Sequence, residues 1–193
     1  MRRIILASSS PRRKELLEKL GLKFEVYPTE LKEQYKRSAN PRELVQSLSR
    51  EKALAAANSY PDSFIIAADT IGWLDGEILG KPADSREAHE MLKRMSGRSH
   101  LVITGYTIID TASGKQVSDS VETKVWFRKL TEVEIDAYVK TGEPLDKAGA
   151  YAIQGLGAIF VEKLEGDYFN VIGLPLCALA VALARFGISL LPG

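Results

Sequence analysis

The sequence predicts an α/β fold, a mixed sheet with antiparallel hairpins and helices packed around it. Short apolar runs of strand length alternate with helical patterns that open on capping residues. Residues 64–68, Phe-Ile-Ile-Ala-Ala, are continuously apolar, the pattern of a strand buried on both faces. Asp75-Gly76, set between apolar segments, signals a tight type I′ hairpin.

The elements follow in order. Residues 2–7 form a first strand, and Pro11 opens a helix at the position where its missing N–H goes unused. Ser10 is a good N-cap, and Leu16, Leu17 and Leu20 make the apolar stripe. Residues 23–27 are a short strand and residues 31–38 a polar loop. Asn40-Pro-Arg-Glu starts a second helix with a capping box, and this helix runs to about Ser59, before Pro61. The strand at 64–68 leads through Asp69-Thr70 into Ile71-Gly-Trp-Leu, the Asp75-Gly76 turn and Glu77-Ile-Leu. Asp84-Ser-Arg-Glu caps a helix ending near Ser96-Gly97, and strands over 100–110 and 116–130 meet at Ser113-Gly114. Thr131-Glu-Val-Glu caps a helix ending at Gly142. Residues 149–157 are glycine-rich, residues 158–164 and 169–172 read as strands, and the apolar residues 178–191 read as a buried terminal helix.

With 193 residues the chain is most simply one domain, spanning residues 1–193 and large enough for a sizeable core. Apolar content of 45% and charged content of 26% are those of a soluble globular protein. A net charge of +1 gives no overall field for nucleic acid or an anionic membrane, so any polyanion must be met by a local cluster of cations. No run reaches the length of a membrane span, and the basic N-terminus lacks the apolar core of a secretion signal. The one cysteine, Cys177, cannot form an internal disulfide; it reads as core packing, and a reducing cytoplasm fits.

The chemistry gathers at a few places. Between the first strand and helix, backbone N–H groups, the hydroxyls of Ser8, Ser9 and Ser10 and the guanidinium groups of Arg12 and Arg13 converge as an anion-binding corner. The plainer reading is a strand–turn–helix with solvated arginines. Asp69, just after the buried strand, sits where open α/β sheets bind ligands. Such a carboxylate binds a divalent cation, draws a proton from water, or simply caps its own turn. Leu44, Leu48 and Lys52 share one helical face, so Lys52 either snorkels to the edge or meets an anion. The hairpin can return Lys81 toward Asp69, or leave it as an exposed loop lysine. Lys147 offers a cation, and Gln154 an amide that both donates and accepts, as reading the edge of a base requires. Tyr151 could supply a stacking face, but suits the core at least as well. Glu33 is a lone acid in a polar loop, and His89 and His100 have no second His or Cys nearby to suggest zinc.

Taken together, Ser8 to Arg13, Arg50-Glu-Lys-Ala, Ala68-Asp-Thr, Gly80-Lys-Pro, Phe127-Arg128, Asp146-Lys-Ala-Gly-Ala-Tyr, Ile153-Gln-Gly and Gly173-Leu-Pro-Leu resemble, in order, the motifs of the Maf family of nucleoside triphosphate pyrophosphatases. The resemblance implies a Maf/ITPase-like fold, an elongated twisted mixed sheet with two lobes around a central cleft. It implies hydrolysis of a nucleoside triphosphate to the monophosphate and pyrophosphate with a divalent metal, Mg²⁺ or Mn²⁺. Asp69 corresponds to the family's proton acceptor, Arg13, Lys52 and Lys81 to its phosphate-contacting cations, and Glu33 with Asp69 to its metal partners. Arg12, Thr70 and Gln154 resemble the subgroup acting on dTTP, UTP and related modified uridine nucleotides. Ala152 departs from the glycine that relatives often carry. A homodimer and a house-cleaning role are implied, together with a connection to arrest of cell division. The alternatives are a pyrophosphatase for another non-canonical nucleotide such as 7-methyl-GTP, or a non-catalytic nucleotide- or nucleic-acid-binding regulator of septum formation. Against nucleic acid stand the near-zero net charge and the lack of aromatic residues among Arg2, Arg3, Arg12, Arg13 and Lys14.

Overall fold

A computed structural model describes residues 2–29 and 40–191; the loop expected over residues 31–38, with Glu33, lies outside the described residues. Strand β1 (Arg3–Ala7) runs parallel to both its neighbours, β2 (Glu25–Tyr27) and β3 (Ser63–Leu74). Its residues from Ile4 to Ala7 are buried, as an interior parallel strand requires. β3 is one uninterrupted strand that includes Asp69 and Thr70. It turns through Asp75 (φ 53°) and Gly76 (φ 83°) into antiparallel β4 (Glu77–Leu79). Two successive left-handed residues are what a type I′ turn demands. β5 (Ser99–Asp110) and β6 (Gln116–Phe127) are joined by the Ser113-Gly114 turn, and β7 (Val161–Glu165) pairs antiparallel with β6. The described strands form a seven-stranded sheet in the order β2-β1-β3-β5-β6-β7, with β4 alongside β3.

Helices α1 (Pro11–Lys19), α2 (Pro41–Ala57), α3 (Ser85–Met95) and α4 (Glu132–Lys140) begin at the expected caps. Ser10, Asn40, Asp84 and Thr131 each accept a hydrogen bond from a first-turn amide, and Thr131 with Glu134 completes a reciprocal capping box. Two short helices follow, α5 (Tyr168–Ile172) and α6 (Leu176–Ala184). No helix among the described residues is long and apolar enough to cross a membrane.

Three expectations are corrected. Residues 169–172 are helical, because the Asp167 carboxylate accepts from the amides of Phe169 (2.7 Å) and Asn170 (3.2 Å) and caps a helical turn. The strand expected over 158–164 is a 3-10 turn, Leu156–Phe160, followed by β7. Cys177 is exposed, with Val181 on the same outward face of α6, and that helix ends at Ala184. A helix apolar all round gives no periodic sign of which face is covered.

The chain divides into two compact units, the first made of residues 1–69, 104–121 and 173–193, the second of 70–103 and 122–172. In the first, Ile5, Ala7, Ala53, Ala56, Ile65, Ala67 and Ile109 pack as a core of small and β-branched side chains. Here α2 lies directly on β5: a Cβ at Gly105 would overlap the main-chain carbonyl of Val45. Beside this contact the hydroxyl of buried Ser49 bonds buried Thr107 (2.8 Å), which bonds the exposed Ser118 (2.8 Å), so a polar chain ties α2 to β5 and β6. In the second unit an aromatic core forms around Phe127, whose ring meets Tyr151 at 4.7 Å and His100 at 5.1 Å edge-on.

Gly105→Ala is therefore expected to cost about 3 kcal/mol, since backbone rather than a flexible side chain must yield. Thermal unfolding should show a melting temperature lower by on the order of 10 °C, whereas an unchanged value would mean that α2 does not press on β5 at this point.

Candidate active site

In the first unit β1 ends at Ala7, and the chain bends at once, the Ser8 amide bonding back to the Leu6 carbonyl at 3.0 Å. The buried Ser8 hydroxyl accepts from the Ser10 amide (3.2 Å) and from Arg13 Nη1 (3.3 Å). Arg13 Nε donates to the Gly173 carbonyl at 2.8 Å, so the guanidinium is held between the two chain segments. Arg12 is half-buried on the same turn. Of the expected corner, the Ser8 and Ser10 hydroxyls and the Arg13 guanidinium are brought together, while Ser9 is exposed.

Lys52 meets an anion. It is 6% exposed on the inward face of α2 with Leu44 and Leu48, and its ammonium pairs with the carboxylate of Asp69, itself 2% exposed. Each charge compensates the other where water cannot, and removing either would leave its partner costly to bury.

In the second unit Thr70 continues β3, half-buried. Gly72 pairs with Leu79, the last residue of β4. The hairpin doubles back along β3, and the exposed Lys81 lies two residues past its last paired residue, Leu79. The Gly80 carbonyl then accepts from the Gly149 amide at 3.0 Å, joining this segment to the one that carries Lys147. Lys147 is ion-paired with Asp146, and its ammonium also reaches the Glu143 carbonyl at 3.4 Å. Gln154 is exposed on the turn that follows. Tyr151 is buried and its hydroxyl bonds His100 Nε2 at 2.9 Å, so of its two readings the core one holds.

The sequence reasoning passed over Tyr138 and Glu143. The Tyr138 hydroxyl bonds Glu143 Oε1 at 2.8 Å, and the amides of Leu156 (3.0 Å) and Gly157 (3.1 Å) donate to the same carboxylate. Glycines at 155 and 157 are the one signal that something approaches this loop closely.

Comparison with known proteins now bears on the site. The family described as Maf-like protein matches residues 3–186. The chain is 52% identical over 191 residues to the dTTP/UTP pyrophosphatase of Methanosarcina barkeri, covering 98% of this chain and 97% of that one. It is 50% identical over 185 residues to the dTTP/UTP pyrophosphatase of Carboxydothermus hydrogenoformans, covering 96% of this chain and 99% of that one. Among solved structures it has a distant likeness, 15% identical with a TM-score of 0.43 over 98% of each chain, to a nucleoside-triphosphatase, dITP/XTP pyrophosphatase, from Mycobacterium abscessus.

Two outcomes follow from this geometry. Lys52→Met should destabilise the fold by about 3 kcal/mol in denaturant titration, and adding Asp69→Asn should recover most of the loss; additive losses would contradict the pairing. Burial pushes the His100 imidazole from 6.5 down to about 4. The unfolded chain therefore binds a proton that the folded chain refuses between these values. Stability is full above about pH 6.5 and falls as the pH drops toward 4, by about 3 kcal/mol from this group. His100→Gln should flatten the slope in that window relative to the wild type, and parallel slopes would contradict a buried neutral imidazole.

Proposed function

The chain belongs to the Maf family, and on that premise we propose that it hydrolyses dTTP, UTP and related modified pyrimidine nucleotides to the monophosphate and pyrophosphate. The observation that carries this reading is the 52% and 50% identity, over nearly the whole chain, to enzymes named for that reaction.

Asp69 accepts a proton from a water that attacks the α-phosphorus in line. The water oxygen bonds to that phosphorus, its bond to the bridging oxygen breaks, and pyrophosphate leaves with the electron pair. Phosphoryl transfer of this kind depends mainly on positioning and on compensation of charge. Lys52 orients the Asp69 carboxylate and adds positive charge beside it, an assignment supported by their buried ion pair. Ser8, Arg13, Lys81 and Lys147 bind phosphate oxygens, and the first-turn amides of α1 add donors suited to an anion. Arg12, Thr70 and Gln154 select the base.

Asp69 and Glu33 would hold a divalent cation together with the substrate's phosphates. Carboxylate oxygens are the hard donors that Mg²⁺ and Mn²⁺ take, and Asp69 is one such donor, with the Lys52 ammonium on one of its oxygens. When bound, the ion neutralises charge on the phosphates. The same reading makes this a cytoplasmic house-cleaning enzyme, a single domain working as a homodimer.

The test is pyrophosphate release with Mg²⁺ or Mn²⁺ across dTTP, UTP, CTP, GTP, 7-methyl-GTP and ITP. Turnover should be fastest on dTTP and UTP, should stop with a chelator, and should fall about 10²–10⁴-fold in Asp69→Asn. Turnover confined to a purine would overturn the base assignment, and full activity in Asp69→Asn would overturn its role.

A further inference from the structure

The turn at residues 152–157 is closed in part by its own backbone, the Gly155 amide bonding the Ala152 carbonyl at 3.2 Å, and Leu156 opens a 3-10 turn, while the amides of Ala152, Leu156 and Gly157 turn to side chains. Its amides need acceptors all the same, and an unmet buried amide is costly. Glu143 supplies them at one end, its carboxylate taking the amides of Leu156 at 3.0 Å and Gly157 at 3.1 Å. At the other end the amide of Ala152 donates to the Tyr138 hydroxyl at 3.2 Å, and that hydroxyl donates to Glu143 Oε1 at 2.8 Å. One phenol and one carboxylate thus bracket the turn on both sides.

Between the fixed points stand Ile153, packed on the aromatic core, Gln154, exposed, and Gly155. Only Gln154 carries a polar side chain there. The two glycines have a specific reason. A Cβ at Gly155 would lie 2.5 Å from the Glu143 carboxylate, and one at Gly157 would lie 2.7 Å from the Tyr138 hydroxyl. Glu143 also acts backward along the chain, its main-chain carbonyl receiving the Lys147 ammonium at 3.4 Å. Burial would lift the Glu143 pKa, but the two amides, the phenol and Lys147 outweigh it and hold the group below the ordinary carboxylate value. Burial, then the bond to Glu143, raises the Tyr138 phenol.

We infer that Glu143, with Tyr138, is a positioning residue for base selection, fixing the turn that presents Gln154 and steadying Lys147 in the same frame. The inference rests on the reading of Gln154 as a base-selecting residue. A rigid amide discriminates between bases because the wrong edge leaves it unpaired; a loose amide adapts to either edge.

The experiment compares kcat and KM for dTTP, UTP and CTP in the wild type, Glu143→Gln, Tyr138→Phe, Gln154→Ala and the double variant Glu143→Gln/Gln154→Ala. Glu143→Gln should reduce the preference for dTTP over CTP about tenfold, chiefly by raising KM for dTTP, with kcat changed by less than about threefold. Tyr138→Phe should move the same way, and it decides the matter if Glu143→Gln fails to fold, because the ring and its packing are kept. The double variant should be no less selective than Gln154→Ala alone. An equal loss on every nucleotide, or an unchanged preference, would overturn the inference. If Gln154→Ala lowers the preference and neither Glu143→Gln nor Tyr138→Phe does, the positioning role alone falls. If Gln154→Ala itself leaves the preference intact, the base assignment of Gln154 falls and the inference with it.

Discussion

A lysine and an aspartate buried against each other set the terms for the first unit. Lys52 and Asp69 are 6% and 2% exposed, and neither charge is tolerable there without compensation. Their meeting requires α2 to lie at one height and one distance over the sheet. Gly105 permits the close approach to Val45, and the hydroxyls of Ser49, Thr107 and Ser118 fix the sliding direction. Small core residues, Ala53, Ala56 and Ala67 among them, serve the same closeness. The packing here is shaped around a polar contact rather than around maximal apolar burial.

The second unit reaches order by another route. Its core is aromatic and closely fitted, with His100 held neutral among Tyr151 and Phe127. Over that core run tight turns whose backbone groups are met by side chains: Glu143 for Leu156 and Gly157, Tyr138 for Ala152, Thr123 for Asp167. Turns fixed in this way can present Lys147 and Gln154 with the constancy of residues on regular elements. The arrangement depends on a few hydrogen bonds rather than on many.

Local rules made most of the fold legible in the sequence. The caps at Ser10, Asn40, Asp84 and Thr131 and the Asp75-Gly76 turn depend on neighbours a few residues away, and each stands where expected. The spacing of Leu44, Leu48 and Lys52 showed that a lysine faces inward, while its partner, seventeen positions on at Asp69, depends on tertiary approach. The helical turn at Tyr168 was missed because a short apolar run looks like a strand unless Asp167 is recognised as its cap. Cys177 was misplaced because α6 is apolar on every face. Glu143 escaped notice because a carboxylate that accepts three hydrogen bonds looks, in sequence, like any solvated acid.

In the proposed reaction the buried Asp69 carboxylate directs water at the α-phosphorus. Turnover of dTTP in oxygen-18-labelled water tests this most directly, because the heavy oxygen ends on whichever phosphorus was attacked. Attack at the α-phosphorus puts the label in thymidine monophosphate and none in pyrophosphate; label in the pyrophosphate would mean attack at the β-phosphorus and would contradict the proposed reaction.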